Sequence, residues 1–156
     1  MPPDKPMPTA RQAMGVFGEQ RVTQDCLCPR CKRPKTLVRL PPNFKCADVI
    51  CDFCGYLAQV KTISSSVIGS VPKRVLGAAW GPHQKERMDA AIYFPPFLVL
   101  VALETKSCSI FYLSADVQRP DMFQARSPLS PMARRAGWQG FVYNLESVRD
   151  RFVRIR

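Results

Sequence analysis

Apolar positions along the chain alternate between two spacings, and the changes mark its elements. Ala10, Ala13, Met14 and Phe17 recur at the i, i+3, i+4, i+7 interval of one helix face. Thr9 precedes this run and Gln12 lies three residues on, the arrangement in which two side chains satisfy two free backbone N–H groups. A helix is therefore predicted to open at Thr9, with Gly15 and Gly18 as its weak points. A short strand is expected around 36–40. "KCADVIC" and "YLAQVKT" are both extended by composition, so residues 44–62 are predicted to form a β-hairpin around a turn at 51–54.

In the second half, "PFLVLVALE" and "SCSIFYLSAD" read as two strands joined by "TKS", the first apolar enough to be buried on both faces. "GPHQKERMDAA" is expected to form a short helix opening at Pro82. "SSSVIGSVPKRVLG" and "RPDMFQARSPLSPM" read as loops, "ARRAGWQGFVYNL" as a turn into a final strand, and "ESVRDRFVRIR" as a terminal helix or strand. No internal repeat is present. The order of elements predicts an α+β or α/β mixture around one sheet.

Length narrows this to one domain, since 156 residues are too few for two comfortable cores. Residues 1–8 are proline-rich and expected to be disordered, leaving 9–156 as the folded unit. Charge changes the picture more. Lys+Arg number 23 against 12 Asp+Glu, a single-sign excess that favours a polyanionic partner. The N-terminus lacks the apolar core of a signal peptide. The longest apolar stretch, 92–103, is interrupted by Pro95 and Pro96 and falls short of the roughly 20 residues a membrane span requires. A soluble, cytoplasmic protein is expected.

Four of the seven cysteines form two Cys-x-x-Cys pairs, Cys28 with Cys31 and Cys51 with Cys54, separated by residues 32–50. That interval is characteristic of a tetrahedral zinc site in which two tight turns each present two thiolates. Neither pair opens a helix after a strand, as a redox pair would. Four sulfur ligands leave no open position, so the expected role of the Zn²⁺ is structural. Cys26 and Cys46 lie near the turns but outside the pairs, and Cys108 reads as a small apolar residue.

Alternation in the hairpin puts Gln59 and Lys61 on one side of their strand and Val60 on the other. Asp48 on the adjoining strand can lie across from them. A carboxylate and an amide oxygen form a hard-oxygen site suited to Mg²⁺, and a lysine beside it can orient water or offset charge on a phosphorane-like transition state. This is the chemistry of phosphodiester hydrolysis; the plain alternative is a solvated strand face. The zinc turn would then fix strand register, since a slip of one residue would send every one of these side chains to the wrong face.

Several features together carry a resemblance: Glu19 in the first helix, "CPRC", "ADVIC" with Asp48, "CDFC", "QVK" and "SPLSPMARRAGWQGFVYNL". Their order and spacing resemble the catalytic domain of DpnI-type (Dam-replacing family) restriction endonucleases, within the PD-(D/E)XK nuclease superfamily. The resemblance implies a nuclease-like core, a mixed central sheet flanked by helices, with an embedded four-cysteine zinc-ribbon element. It implies Asp48 and Gln59 as Mg²⁺ ligands, Lys61 as the water-orienting lysine, Glu19 as an auxiliary acid, and cleavage of double-stranded DNA at adenine-methylated sites. Gln59 stands where the family pattern has Glu; an amide brings no charge, so weaker metal binding is expected. Arg134 and Arg135 before Trp138 suit phosphate contact beside an aromatic ring laid against bases. Lys32, Arg33, Lys35 and Arg39 could grip a backbone or be a solvated face. His83 reads as a surface residue. The alternative function is a non-catalytic zinc-ribbon DNA-binding protein with a degenerate nuclease site.

Overall fold

The computed structural model describes residues 7–41, 47–76, 86–87, 89–90, 95–128, 131–132 and 139–156. The expected capping arrangement opens helix α1 (Ala10–Asp25): Gln12 N–H donates to Thr9 Oγ1 at 3.2 Å, and Thr9 N–H donates to Gln12 Oε1 at 2.8 Å. Among the described residues nine strands follow: β1 (Leu37–Arg39), β2 (Val49–Cys51), β3 (Leu57–Ser65), β4 (Arg74–Leu76), β5 (Pro96–Ala102), β6 (Cys108–Tyr112), β7 (Phe123–Pro128), β8 (Gln139–Asn144) and β9 (Val153–Arg154).

They make two sheets. The larger is mixed, in the order β1-β2-β3-β5-β6-β9, and the smaller runs β4-β8-β7. β3 and β5 are parallel over Gln59↔Pro96 to Ser65↔Ala102, whereas the other pairs are antiparallel. The predicted hairpin is present, with Val49 opposite Ala58 and Ile50 opposite Leu57.

β5 explains the layering. Phe97, Val99 and Val101 join Val22 of α1, Val49, Ala58 and Ile110 in one core. Leu98 and Leu100 face the other way, into a second core with Val75, Leu113, Met122 and Leu145. A strand covered on both faces must be apolar at every position, which is why its alternation vanishes. The chain is an α+β fold with a helix on one face of the mixed sheet. Among the described residues a second sheet, not a helix, covers the other face.

The single-sheet expectation is thus corrected, and with it the two predicted loops. β4 lies in one of them and β7 in the other, and both pair with β8. Their short or proline-containing sequences carry little strand signal; ladder bonds to a neighbour supply what composition does not. Of the predicted second helix, only 86–87 and 89 are helical among the described residues, with Ala90 N–H donating to Glu86 O at 3.0 Å. The C-terminal segment forms a 3₁₀ turn at Arg149–Arg151 and then edge strand β9. Residues 1–6, Pro82 and His83 lie outside the described residues. No helix among the described residues is long and apolar enough to cross a membrane.

α1 packs closely on β3 at Gly18. A Cβ there would stand 1.7 Å from Thr62 Oγ1, so the crossing tolerates no side chain. Gly18→Ala should destabilise the fold by about 1–3 kcal/mol despite raising helix propensity. Urea unfolding checks this, and Thr62→Ala in the same chain should restore part of the loss.

Candidate metal centre and the cleft beside it

The two Cys-x-x-Cys turns are built alike, residue for residue. Cys28 O accepts from Lys32 N–H at 2.9 Å and Cys28 N–H donates to Arg33 O at 3.1 Å. Cys51 O accepts from Gly55 N–H at 2.8 Å and Cys51 N–H donates to Tyr56 O at 2.8 Å. In each turn the residue after the second cysteine is left-handed: Lys32 at φ 61° and Gly55 at φ 77°. Glycine takes that conformation freely; Lys32 takes it at a cost that the turn's hydrogen bonds offset.

The turns bring Cys28, Cys31, Cys51 and Cys54 together, with all four Sγ atoms within 4.8 Å of one another. Cys28 Sγ lies 3.6 Å from Cys54 Sγ and Cys31 Sγ lies 3.7 Å from Cys51 Sγ. Sulfurs at about 2.3 Å from a tetrahedral Zn²⁺ stand roughly 3.8 Å apart, so the spacing and the all-thiol donor set fit such an ion. The cluster could hold a metal such as zinc. Burial works against ionising Cys51, yet the Thr36 hydroxyl and the N–H groups of Cys54 and Phe53 hold its thiol down to about 6. Cys26 stands outside the set; burial, and then the Asp25 carboxylate, push its thiol up to about 12, as expected of a core residue. Cys46 is not among the described residues, and Cys108 is half-buried on β6.

Beyond the second cysteine turn, β2 separates from β3, and Asp48 occupies the gap. Asp48 N–H donates to Ala58 O at 2.9 Å, and Asp48 Oδ2 accepts from Val60 N–H at 2.8 Å. The carboxylate stands where a main-chain carbonyl would sit in a continued ladder. Burial raises its pKa, the Val60 N–H lowers it, and the charge of Glu19 raises it further, with Lys61 opposing. Glu19 on α1 is itself held by Arg39 Nε at 2.9 Å. Lys61 is shifted down, first by burial and then by the positive charge of Arg11, against the pull of Asp48.

Strand alternation is as the sequence predicts. Val60 packs into the helix-side core, whereas Gln59 and Lys61 line a small, mostly apolar cavity with Pro96, Leu98, Leu113 and Tyr143. The structure therefore places Gln59 and Lys61 on one face, and puts Lys61 and Glu19 within electrostatic range of Asp48. Tyr143 O–H donates to Gln59 Oε1 at 3.5 Å from strand β8. Neither Tyr143 nor Arg11 was singled out in the sequence. Tyr143 is 84 positions away in the chain, and Arg11 carries no motif. Arg134, Arg135 and Trp138 lie outside the described residues.

The arrangement offers a half-buried carboxylate, an amide oxygen and an amine whose charge is disfavoured, beside a metal-ready turn. This donor set is one that a hard divalent cation accepts. No curated protein matches the chain. A family model, DpnI: Dam-replacing family, matches residues 5–154. That match runs over nearly the whole length and includes both cysteine turns, Asp48, Gln59 and Lys61, so the chain belongs to the DpnI, Dam-replacing family.

Proposed function

We propose that this chain is a restriction-type DNA endonuclease of the PD-(D/E)XK class, hydrolysing phosphodiester bonds of adenine-methylated double-stranded DNA. The observation that carries this reading is Asp48 filling the gap between β2 and β3 beside Lys61, in a chain of this family. Asp48 and Gln59 would hold a divalent cation such as Mg²⁺, which offsets phosphate charge and acidifies bound water. Lys61, partly desolvated, orients the attacking water and meets charge developing on the phosphorus oxygens. Glu19 adds negative charge at the Asp48 side, and Arg39 positions it. Zn²⁺ at the four cysteines fixes the hairpin register on which this geometry depends. Arg134, Arg135 and Trp138 would contact the duplex.

The second reading is a zinc-ribbon DNA-binding protein without catalysis, favoured by the neutral amide at Gln59. Plasmid from adenine-methylating and non-methylating hosts separates the two. Mg²⁺-dependent cleavage of the methylated plasmid, lost in Lys61→Ala with zinc content intact, is the expected result. Salt-dependent retardation of DNA with no cleavage under Mg²⁺ or Mn²⁺ would establish the second reading in its place.

A further inference from the structure

The outer surface of the two cysteine turns has features that holding a metal does not require. Arg30, Lys32, Arg33 and Lys35 are all exposed there. Among the described residues no carboxylate pairs with Arg30, Lys32 or Arg33, although Asp52 sits exposed in the second turn. Lys35 Nζ donates to Gln24 O at 3.1 Å, which ties that lysine back to the end of α1.

Two of the cations lie on aromatic rings. The Arg33 guanidinium stands 3.7 Å from the ring centroid of Phe53, across the gap between the turns. Arg30 lies over Tyr56 at 5.1 Å. Phe53 remains 60% exposed, and Leu27 nearby 49%. A stacked guanidinium keeps its N–H fork directed outward while losing rotational freedom, which is the preparation a phosphate contact rewards. A phenylalanine that stays mostly in water serves no core; here it is a platform.

We infer that the tip of the paired cysteine turns is a DNA-backbone contact, in which Arg30, Lys32 and Arg33 grip phosphates and Phe53 holds Arg33 in position. Charge complementarity selects this partner: three cations with no carboxylate partner among the described residues, on a chain of net charge +11, match a polyanion. The placement relative to the scissile bond rests on the nuclease reading above. β3 leads directly from the second turn to Gln59 and Lys61, and at about 3.3 Å per residue the tip stands about 15 Å from them. At about 3.4 Å per base step, that is roughly four to five steps along one strand. The contact would then add affinity without reading sequence.

The test measures binding and cleavage separately. Fluorescence anisotropy with a labelled duplex of about 20 base pairs, in buffer without Mg²⁺ and without chelator, gives Kd across a salt series. The combined variant R30A/K32A/R33A, with zinc content and circular dichroism matching wild type, should raise Kd roughly 10- to 100-fold at about 0.1 M salt. It should also reduce the slope of log K against log salt by about 2–3. Phe53→Ala should weaken binding a few-fold with the slope unchanged, since it removes positioning and no charge. If the wild type binds and the triple variant binds equally with the same slope, the inference is overturned, whatever the cleavage result. Loss of binding in the triple variant supports it even where no plasmid is cut, an outcome that sinks only the nuclease reading. A wild-type chain that binds no duplex overturns both.

Discussion

Cys51→Ser is expected to remove the cooperative unfolding transition, not merely to lower its midpoint. Cys51 ends β2, is fully buried, and packs with Leu37, Val49 and Ala58 in the helix-side core. Its sulfur is also one corner of the four-sulfur cluster, so the residue joins the hairpin to the first cysteine turn. A structural Zn²⁺ contributes apparent binding free energy of about 10–16 kcal/mol, and a domain of this size is stable by only about 5–15 kcal/mol. A Zn²⁺ held by the four sulfurs would contribute a term as large as the whole margin. Removing zinc with a strong chelator should therefore act like the substitution, collapsing near-ultraviolet circular dichroism and flattening the urea transition. Cys26→Ala is the control. That thiol is buried in the same core but outside the cluster, and its loss should cost about 1–3 kcal/mol with zinc content retained. A Cys51→Ser chain that unfolds cooperatively near the wild-type midpoint would show that the cluster does not hold the hairpin.

For Asp48→Asn, activity and stability are expected to move in opposite directions. Cleavage should fall by about three orders of magnitude, or ~4 kcal/mol of barrier, because an amide in place of the carboxylate removes the one charged oxygen donor of the proposed cation site. Stability in the absence of Mg²⁺ should rise at neutral pH. The reason lies in the sign of the shift: burial raises the folded-state pKa of Asp48 above its ordinary value, so the folded chain binds that proton more readily than the unfolded one. The stability tied to the protonated form is complete below the unfolded pKa and is lost as pH rises through the folded pKa. Above the folded pKa the wild type carries the disfavoured charge and the asparagine variant does not. The variant keeps an oxygen for Val60 N–H, so the backbone contact survives. Thermal melts from about pH 8 downward check this: the advantage of the variant should hold until pH falls through the folded pKa of Asp48, then shrink and vanish below the unfolded one. A variant less stable than wild type at the alkaline end would mean that the Asp48 carboxylate is held by a favourable partner and not by its function.

The reach of the sequence varied from one part of the fold to another for identifiable reasons. The helix at Thr9–Gln12, the paired cysteine turns and the alternation of Gln59, Val60 and Lys61 all depend on residues a few positions apart. Strands β4 and β7 gave no such signal. Their stabilising partner is β8, which lies far along the chain in the case of β4, and a short strand's ladder bonds are invisible in its own composition. The second layer was missed with them, so the environment of Lys61 could not be foreseen. The periodicity says which face its amine takes; it does not say that another sheet partly covers this face.

The paired cysteine turns and the hairpin are legible in the chain itself, because each is specified by neighbours whose spacing matches a local geometry. The parallel pairing of β3 with β5, the reach of Tyr143 to Gln59 and the partial desolvation of Lys61 and Asp48 belong to the assembled fold. Those facts depend on contacts between distant segments. Closing such contacts costs chain entropy that the whole core must offset, so no single stretch of residues encodes them.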